Sequence, residues 1–122
     1  MKLFTDAWLS AWTGNKPKSL LAFYTDDALY IDPANPDGIK GKEQLSIYFT
    51  KLLNKNPDWQ WTSVELFPTE KWFTLKWKAV IPLINKSLTL FGLDIVELTD
   101  NKISRNEVYF DRHLWMNELM KK

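Results

Sequence analysis

The chain has 122 residues, of which 45% are hydrophobic and 25% are charged, and its formal net charge at neutral pH is +1. This length suits one compact domain, and the composition excludes an intrinsically disordered chain. Interspersed acidic and basic residues argue against a nucleic-acid partner. The absence of cysteine excludes disulfides and a thiolate nucleophile, and a single histidine argues against a zinc site.

No stretch of the sequence indicates membrane association or export. Asp6 interrupts the apolar start of the chain, so we do not predict a signal peptide, and no later apolar run is long enough to span a membrane. We find no internal repeat or linker. We therefore expect a single domain over residues 1–122, located in the cytoplasm.

The first half of the chain predicts three helices and one short strand. Apolar residues at helical spacing predict a first helix from Leu3 to Trp12. A second helix is predicted with Asn15 as its N-cap and Pro17 in its first turn, and it ends near residues 25–27. Residues 28–32 are typical of a brief strand, and residues 33–38 of an irregular, turn-rich loop. An apolar stripe predicts the third helix over residues 42–54.

The second half predicts four long strands. Residues 59–67, 72–82, 87–98 and 102–111 are rich in aromatic and β-branched residues, and a short terminal helix is predicted around residues 114–119. The helices are thus segregated from the strands along the chain. This order predicts an α+β fold in which a curved antiparallel sheet packs against three N-terminal helices.

The strand over residues 87–98 carries apolar side chains on both faces. Leu90 and Val96 lie on one face, and Phe91, Leu93 and Ile95 lie on the other. Since the helices cover only one face of the sheet, the second face needs a cover of its own. We therefore predict a homodimer in which two sheets pack against each other.

Asp94 is an unexpected charge in this apolar strand, because a buried carboxylate is costly unless it is hydrogen-bonded or neutral. A two-residue turn at 100–101 would set Asp94 opposite Glu107, with Arg105 nearby on the same face. One of two adjacent carboxyl groups would then tend to hold a proton. Such a cluster could serve acid–base chemistry, or it could be a buried ion-pair network that holds the strand register.

Asp32 lies at the end of the first predicted strand, directly before Pro33. A carboxylate at such a junction can act as a general base at the edge of a pocket. It can equally open a turn by accepting hydrogen bonds from nearby backbone amides. Both interpretations stay open at this point.

Two motifs resemble the nuclear-transport-factor-2-like superfamily, and within it the SnoaL-like (polyketide-cyclase-like) and ketosteroid-isomerase-like proteins. They are Tyr-x-Asp-Asp-Ala-x-x-x-Asp-Pro over residues 24–33 and Asp-Asn-Lys-Ile-x-Arg-x-x-x-Tyr-Phe-Asp over residues 100–111. The resemblance covers nearly the whole chain. It implies a cone formed by the curved sheet and the helices, with an apolar pocket at its mouth and often a dimer.

The resemblance also implies roles for individual residues. Asp32 falls where the isomerases keep their general base, and Asp94 falls where they place a protonated aspartic acid that donates to the substrate oxyanion. Tyr24 falls on an accessory tyrosine, and Trp8 replaces the principal oxyanion tyrosine with an indole N–H donor. We set epoxide hydrolysis aside, because Val108 replaces the catalytic aspartate of that branch.

These observations lead to two functional hypotheses. In the first, Asp32 and Asp94 are the catalytic residues of an isomerase, dehydratase or cyclase that acts on a small hydrophobic carbonyl compound without a cofactor or metal. The residues assigned to ligand binding are Trp8, Tyr24, Tyr30, Arg105 and Glu107. In the second, the domain is a non-catalytic ligand-binding or dimerisation module, whose pocket is ligand-binding only or is filled by side chains such as Trp8, Tyr30 or Phe49.

Overall fold

In the computed structural model, which describes residues 2–111, 113 and 117, three helices pack against one face of a six-stranded sheet. The helices are α1 (Lys2–Ser10), α2 (Pro17–Leu21) and α3 (Lys42–Lys55). The strands are β1 (Tyr24–Asp32), β2 (Asn35–Lys40), β3 (Gln60–Pro68), β4 (Trp72–Pro82), β5 (Ser87–Thr99) and β6 (Lys102–Phe110). The predicted α+β class is confirmed, and the terminal helix predicted around residues 114–119 lies outside the described residues apart from Asn117.

The strand order in the sheet is β2-β1-β6-β5-β4-β3. β1 pairs with β6 in parallel, and the other four neighbouring pairs are antiparallel. The prediction of a wholly antiparallel sheet therefore needs one correction. Between β2 and β6 the chain passes through α3 and three strands. β6 then lies beside β1 and runs in the same direction.

The segment around β1 departs most from the sequence-based prediction. α2 ends at Leu21, so residues 24–27 open β1 and do not close a helix. The predicted loop over residues 33–38 contains most of β2, which pairs only with β1 at the edge of the sheet. An edge strand tolerates Pro36, which lacks an N–H group, and Gly38 adopts a positive φ of 89°.

The hairpin between β5 and β6 begins as predicted. Asp100 and Asn101 both adopt left-handed backbone conformations, with φ of 53° and 66°, and they form a two-residue turn that pairs Thr99 with Lys102. A bulge follows, because Glu97 pairs with Arg105 and leaves Ser104 as an extra residue. The hydroxyl of Ser104 donates to the carbonyl oxygen of Glu97 at 3.2 Å.

This bulge changes which side chains share a face of the sheet. Asp94 lies opposite Val108, and Glu107 lies opposite Ile95. The predicted pairing of Asp94 with Glu107 is therefore wrong, because one extra residue moves every later side chain of the strand to the other face. The predicted pairing of Val96 with Arg105 is wrong for the same reason.

The two faces of the sheet differ in composition. The helix-facing side, which we call the inner face, carries Trp77, Asp94 and Asn106 among mostly apolar residues. The core between this face and the helices is unusually aromatic. Trp8, Tyr24, Phe49 and Phe73 are among its largest fully buried side chains. They meet their neighbours in tilted or edge-to-face contacts, such as the one between Trp8 and Phe73 at 6.0 Å.

The opposite side, which we call the outer face, carries polar and exposed apolar side chains. Phe91, Leu93 and Tyr109 are 55%, 40% and 49% exposed, and Leu93 lies directly opposite Tyr109 across β5 and β6. The apolar alternation on this face of β5 is thus present as predicted. Within the described residues, no helix is both long and apolar enough to cross a membrane.

Candidate functional site

A cavity of about 320 Å³ lies between the inner face of the sheet and helices α1 and α3. Its aromatic lining residues are Trp12, Tyr30, Tyr48, Trp59, Trp61, Trp77 and Phe110. Among the described residues that line it, only Asp32, Lys55 and Asp94 carry a charged group. Both aspartates singled out in the sequence therefore border one largely apolar cavity, while the core residues Trp8 and Phe49 are not among its lining residues.

Asp32 is buried at the end of β1, and its carboxylate accepts five hydrogen bonds. Oδ1 accepts from the backbone amides of Ala34 and Asn35 at 3.0 and 2.8 Å and from the Asn35 side chain at 2.9 Å. Oδ2 accepts from the hydroxyls of Tyr30 and Tyr48 at 2.9 and 2.6 Å. Since a carboxylate offers about four lone-pair directions, every acceptor position of Asp32 is occupied.

This geometry agrees with the turn-opening interpretation of Asp32. The backbone amides that it binds are those of Ala34, in the two-residue connection, and of Asn35, the first residue of β2, so the carboxylate holds the chain reversal at the edge of the sheet. Its second oxygen fixes two tyrosine hydroxyls at the cavity wall. A base must have a lone pair free for the incoming proton, and Asp32 has none in this arrangement.

Asp94 has a different environment on the inner face of β5. The indole N–H of Trp77 donates to Oδ1 at 2.7 Å, and the side-chain amide of Asn106 donates to Oδ2 at 2.8 Å. Burial raises the pKa of Asp94 to about 7, the two hydrogen bonds oppose this rise, and the negative charge of Asp32 adds to it. Among the described residues, no third donor contacts Asp94, so each oxygen keeps an open lone pair and Asp94 can both hold and release a proton near neutral pH.

Asn106 is in turn held by two residues of the core. The hydroxyl of Tyr24 donates to Oδ1 of Asn106 at 2.8 Å, and the indole N–H of Trp8 donates to the Tyr24 oxygen at 3.3 Å. Burial raises the pKa of Tyr24 and that of Tyr30 well above the usual tyrosine value, so both hydroxyls stay protonated at neutral pH. Trp8 and Tyr24 do not line the cavity, for which the sequence predicted ligand contacts. Instead, Trp8 donates to Tyr24, and Tyr24 donates to Asn106.

Arg105 and Glu107 lie on the outer face, away from the cavity. They form an ion pair, and the hydroxyl of Tyr109 donates to Oε1 of Glu107 at 2.6 Å. The guanidinium carbon of Arg105 lies 5.2 Å from the centre of the Trp72 ring, which is within cation–π range. The bulge at Ser104 therefore separates these two residues from Asp94, with which the predicted register had grouped them.

Three residues of the site were not identified from the sequence. Tyr48 and Trp77 belonged to predicted apolar patterns, so a core role accounted for them. Asn106 was assigned to the opposite face by the register without a bulge. The signal that could have found it is its polar side chain in a buried strand, since such a group needs a partner and Asp94 needs a donor.

Gly92 provides the space for the Trp77 indole. The two residues are paired across β4 and β5, and a β-carbon on Gly92 would lie 2.3 Å from the Trp77 ring and 2.8 Å from the Tyr109 carbonyl oxygen. Both distances are far inside van der Waals contact. The missing side chain lets the indole lie over β5, where its N–H reaches Asp94 two residues further along.

The fold and the site define a domain of the nuclear-transport-factor-2-like type, with a curved sheet, a helical cover and a cavity between them. Residues 5–106 match the family model of the SnoaL-like domain, so the chain belongs to that family. The resemblance seen in the sequence is thereby confirmed. No curated protein matches the chain.

Solved structures with the same fold include three from bacteria. A protein of ketosteroid isomerase-like fold from Catenulispora acidiphila, in complex with trimethylamine, has 19% sequence identity and a TM-score of 0.77, over 88% of this chain and 85% of that chain. A candidate SnoaL-like polyketide cyclase from Jannaschia sp. CCS1 has 10% sequence identity and a TM-score of 0.84, over 99% of this chain and 92% of that chain. AclR, a candidate hydroxylase from Streptomyces galilaeus, has 11% sequence identity and a TM-score of 0.79, over 99% of this chain and 96% of that chain. At these identities the similarity establishes the fold.

The hydrogen bonds of Asp32 predict that Asp32→Asn destabilises the protein. An asparagine offers one acceptor oxygen, and its NH₂ group would face donors that now bind a carboxylate, so we expect a loss of about 2–4 kcal/mol in the free energy of unfolding. Urea denaturation measures this loss. Asp37→Asn, the same change at an exposed position of β2, should leave the free energy of unfolding nearly unchanged. Equal stability of the two variants would contradict a structural role for Asp32.

The contact between Gly92 and Trp77 predicts that Gly92→Ala displaces the indole. We expect a loss of about 1–3 kcal/mol in the free energy of unfolding, because the added methyl group overlaps the ring. We also expect a changed chemical shift for the Trp77 indole N–H in the NMR spectrum, since its hydrogen bond to Asp94 is disturbed. Thr89→Ala, at an exposed position of the same strand, is the control. An unchanged indole resonance in Gly92→Ala would refute the proposed spacing role.

Proposed function

We propose that this SnoaL-like domain is an acid–base enzyme in which Asp94 is the catalytic residue and a small hydrophobic carbonyl compound is the substrate. The observation that carries the proposal is the state of Asp94, which is 4% exposed, borders the cavity and has a pKa raised to about 7. General acid–base catalysis is most effective when the pKa of the catalytic group lies near the working pH. Perturbed carboxyl groups in apolar clefts are frequent at active sites.

The chemistry requires only a proton transfer and a shift of electron pairs. The Asp94 carboxylate takes a proton from the carbon next to the carbonyl group, and the C–H electron pair moves towards the carbonyl oxygen to form an enolate. In a β,γ-unsaturated ketone the protonated Asp94 then returns the proton to the γ-carbon. Alternatively, the enolate carbon attacks a carbonyl group of the same molecule or expels a β-hydroxyl group, and the proton on Asp94 passes to the resulting alkoxide or to the departing hydroxide, which leaves as water. These outcomes correspond to isomerase, cyclase and dehydratase chemistry, and they need no oxidant or cofactor.

The other residues of the cavity have supporting roles in this proposal. Asp32 positions the hydroxyls of Tyr30 and Tyr48 at the wall and does not take the substrate proton. The rings of Trp61 and Trp77, whose centres lie 4.8 Å apart, present apolar surface to the bound molecule. Exclusion of water by this surface strengthens the electrostatic interactions of Asp94 with a reacting group.

A second candidate function is the binding of an organic ammonium ion without catalysis. The rings of the cavity and the negative charge of Asp32 suit a cation, since aromatic faces attract ammonium groups. The structural neighbour from Catenulispora acidiphila holds trimethylamine. Because five donors already occupy the carboxylate of Asp32, it would attract such a cation through its charge and not through a hydrogen bond.

Proton exchange in a model ketone tests the proposed chemistry. We expect the protein to accelerate deuterium exchange next to the carbonyl group of 2-tetralone in D₂O, as followed by NMR. The rate should rise as pH increases through about 7 and then level off, because the base is the carboxylate form of Asp94. Asp94→Asn should lower the rate by roughly 10²–10⁴-fold, towards the uncatalysed value.

The controls separate the two candidate functions. Asp37→Asn, which changes an exposed carboxylate outside the cavity, should catalyse deuterium exchange in the ketone at the same rate as the unmodified protein. Full activity in folded Asp94→Asn, or a rate that falls as pH rises through 7, would rule out Asp94 as the base. Saturable binding of trimethylammonium without any ketone exchange would favour the binding protein.

We also propose that two copies of the chain pack through their outer faces. The support is the exposed apolar surface of Phe91, Leu93 and Tyr109 on neighbouring strands, which is costly to leave in water. A twofold arrangement would bring the same patch of both copies together. The neighbouring Arg105–Glu107 pair would then lie at the rim or within the contact.

The proposed dimer predicts a measurable change in mass. Light scattering at tens of micromolar should give twice the mass of the chain, and Leu93→Asp should give the mass of one chain, because it places a charge at the centre of the patch. Ile84→Asp is the matched control, since Ile84 is even more exposed but lies in the turn between β4 and β5. A monomeric unmodified protein would contradict the proposal.

A further inference from the structure

The hydrogen bonds behind Asp94 can run in only one direction, and Trp8 sets it. An indole N–H donates and cannot accept, so the oxygen of Tyr24 must accept from Trp8 at 3.3 Å. The one proton of the Tyr24 hydroxyl is then directed to Oδ1 of Asn106 at 2.8 Å. Both groups are fully buried, so no solvent molecule offers either of them an alternative partner.

The orientation of Asn106 follows from this chain. With Oδ1 facing Tyr24, the NH₂ group of Asn106 faces Oδ2 of Asp94 at 2.8 Å. On the other side Oδ1 of Asp94 faces the indole N–H of Trp77, again a group that can only donate. Asp94 is therefore bound by two donors, and neither of them can accept a proton from it.

We infer that the chain Trp8–Tyr24–Asn106 is a positioning device that reserves the proton of Asp94 for whatever occupies the cavity. This inference rests on the proposed function of Asp94. A proton on Asp94 finds no acceptor in Trp77 or Asn106, so it must lie along one of the remaining lone pairs. Asp94 borders the cavity, where a bound molecule or water can exchange that proton.

The same arrangement keeps the site ready in both protonation states. If Asn106 could turn over, its carbonyl oxygen would accept the proton of Asp94 and hold it on the side of the sheet. With Asn106 locked, gain and loss of the proton require no rearrangement of the neighbours. Fixed dipoles of this kind lower the cost of charge movement during a reaction.

Other ionisable groups near Asp94 do not replace this device. β1 contributes Asp32, Tyr24 and Tyr30, whose charges act on Asp94 or are affected by it. Burial keeps both tyrosines protonated, and Asp32 retains its five donors. From α3, Tyr48 and Lys55 border the same cavity, and the groups of β4 and β6 that bind Asp94 are the neutral side chains described above.

A test follows from the remote position of Trp8, which makes no hydrogen bond to Asp94. In Trp8→Phe the Tyr24 hydroxyl is free to turn and to accept from Asn106, whose oxygen can then face Asp94 and bind its proton. Tyr24→Phe frees Asn106 in the same way with the loss of a single oxygen atom. Both changes should favour the protonated form of Asp94.

The measurement is the titration of Asp94 by NMR of protein labelled with ¹³C at aspartate carboxyl carbons. We expect Trp8→Phe and Tyr24→Phe each to raise the midpoint by about 0.5–1 pH unit, the effect of one neutral hydrogen bond. Phe73→Leu is the matched control, because Phe73 is buried against Trp8 without a hydrogen bond, and its midpoint should stay within about 0.2 pH unit. Asn106→Leu, which removes a donor outright, should also raise the midpoint and calibrates the method.

The outcomes distinguish this inference from the proposed function. A raised midpoint in Asn106→Leu with unchanged midpoints in folded Trp8→Phe and Tyr24→Phe would overturn the directional chain. A shift of equal size in Phe73→Leu would overturn it as well, since the effect would then come from packing. If the expected pattern is found but no ketone exchange occurs, the chain stands and the proposed enzymatic function fails. If ketone exchange occurs but the expected pattern of midpoints is absent, the proposed enzymatic function stands and the directional chain fails.

Discussion

The burial of one carboxyl group, Asp94, is the constraint around which the inner face of the sheet is organised. A carboxyl group removed from water needs hydrogen-bond donors or a proton, and this site supplies two donors and leaves the proton optional. Trp77 reaches the group only because Gly92 leaves room for its ring. Asn106 reaches it only because the bulge at Ser104 turns that side chain inward. A glycine and a bulge, both outside the cavity lining, therefore determine the chemistry of a residue within it.

The two cavity aspartates show how local structure separates two identical side chains. Asp32 is the last residue of β1, where two backbone amides, the Asn35 side chain and two tyrosine hydroxyls occupy all its acceptor positions. Asp94 lies in the middle of a central strand, where the backbone amides are used by the sheet and only side chains can donate. The first arrangement favours a carboxylate that holds a turn and whose acceptor positions all stay occupied. The second leaves lone pairs open, and this is the condition that a proton-transferring group must satisfy.

The sequence predicted most elements of the fold because their signals are local. Alternation identified β4 with its observed bounds, and the left-handed turn at residues 100–101 was correctly placed. The failures concern features that depend on neighbours in space. β2 looked like a loop because its proline and glycine are tolerated only at an edge, and edge position is not visible in a sequence. The bulge at Ser104 has no strong sequence signal, and it reversed the predicted faces of Arg105, Asn106 and Glu107.

That reversal matters for function because it decides the charge beside Asp94. Without the bulge, Glu107 and Arg105 would face Asp94, and the site would hold two coupled carboxyl groups and a guanidinium. The guanidinium would favour ionisation and the second carboxylate would oppose it, so the two effects would compete. With the bulge, Asp94 receives the neutral amide of Asn106, and the charged pair lies on the outer face. Burial, two fixed donors and the charge of Asp32 then set the proton affinity of Asp94, so a change of one donor suffices to tune it.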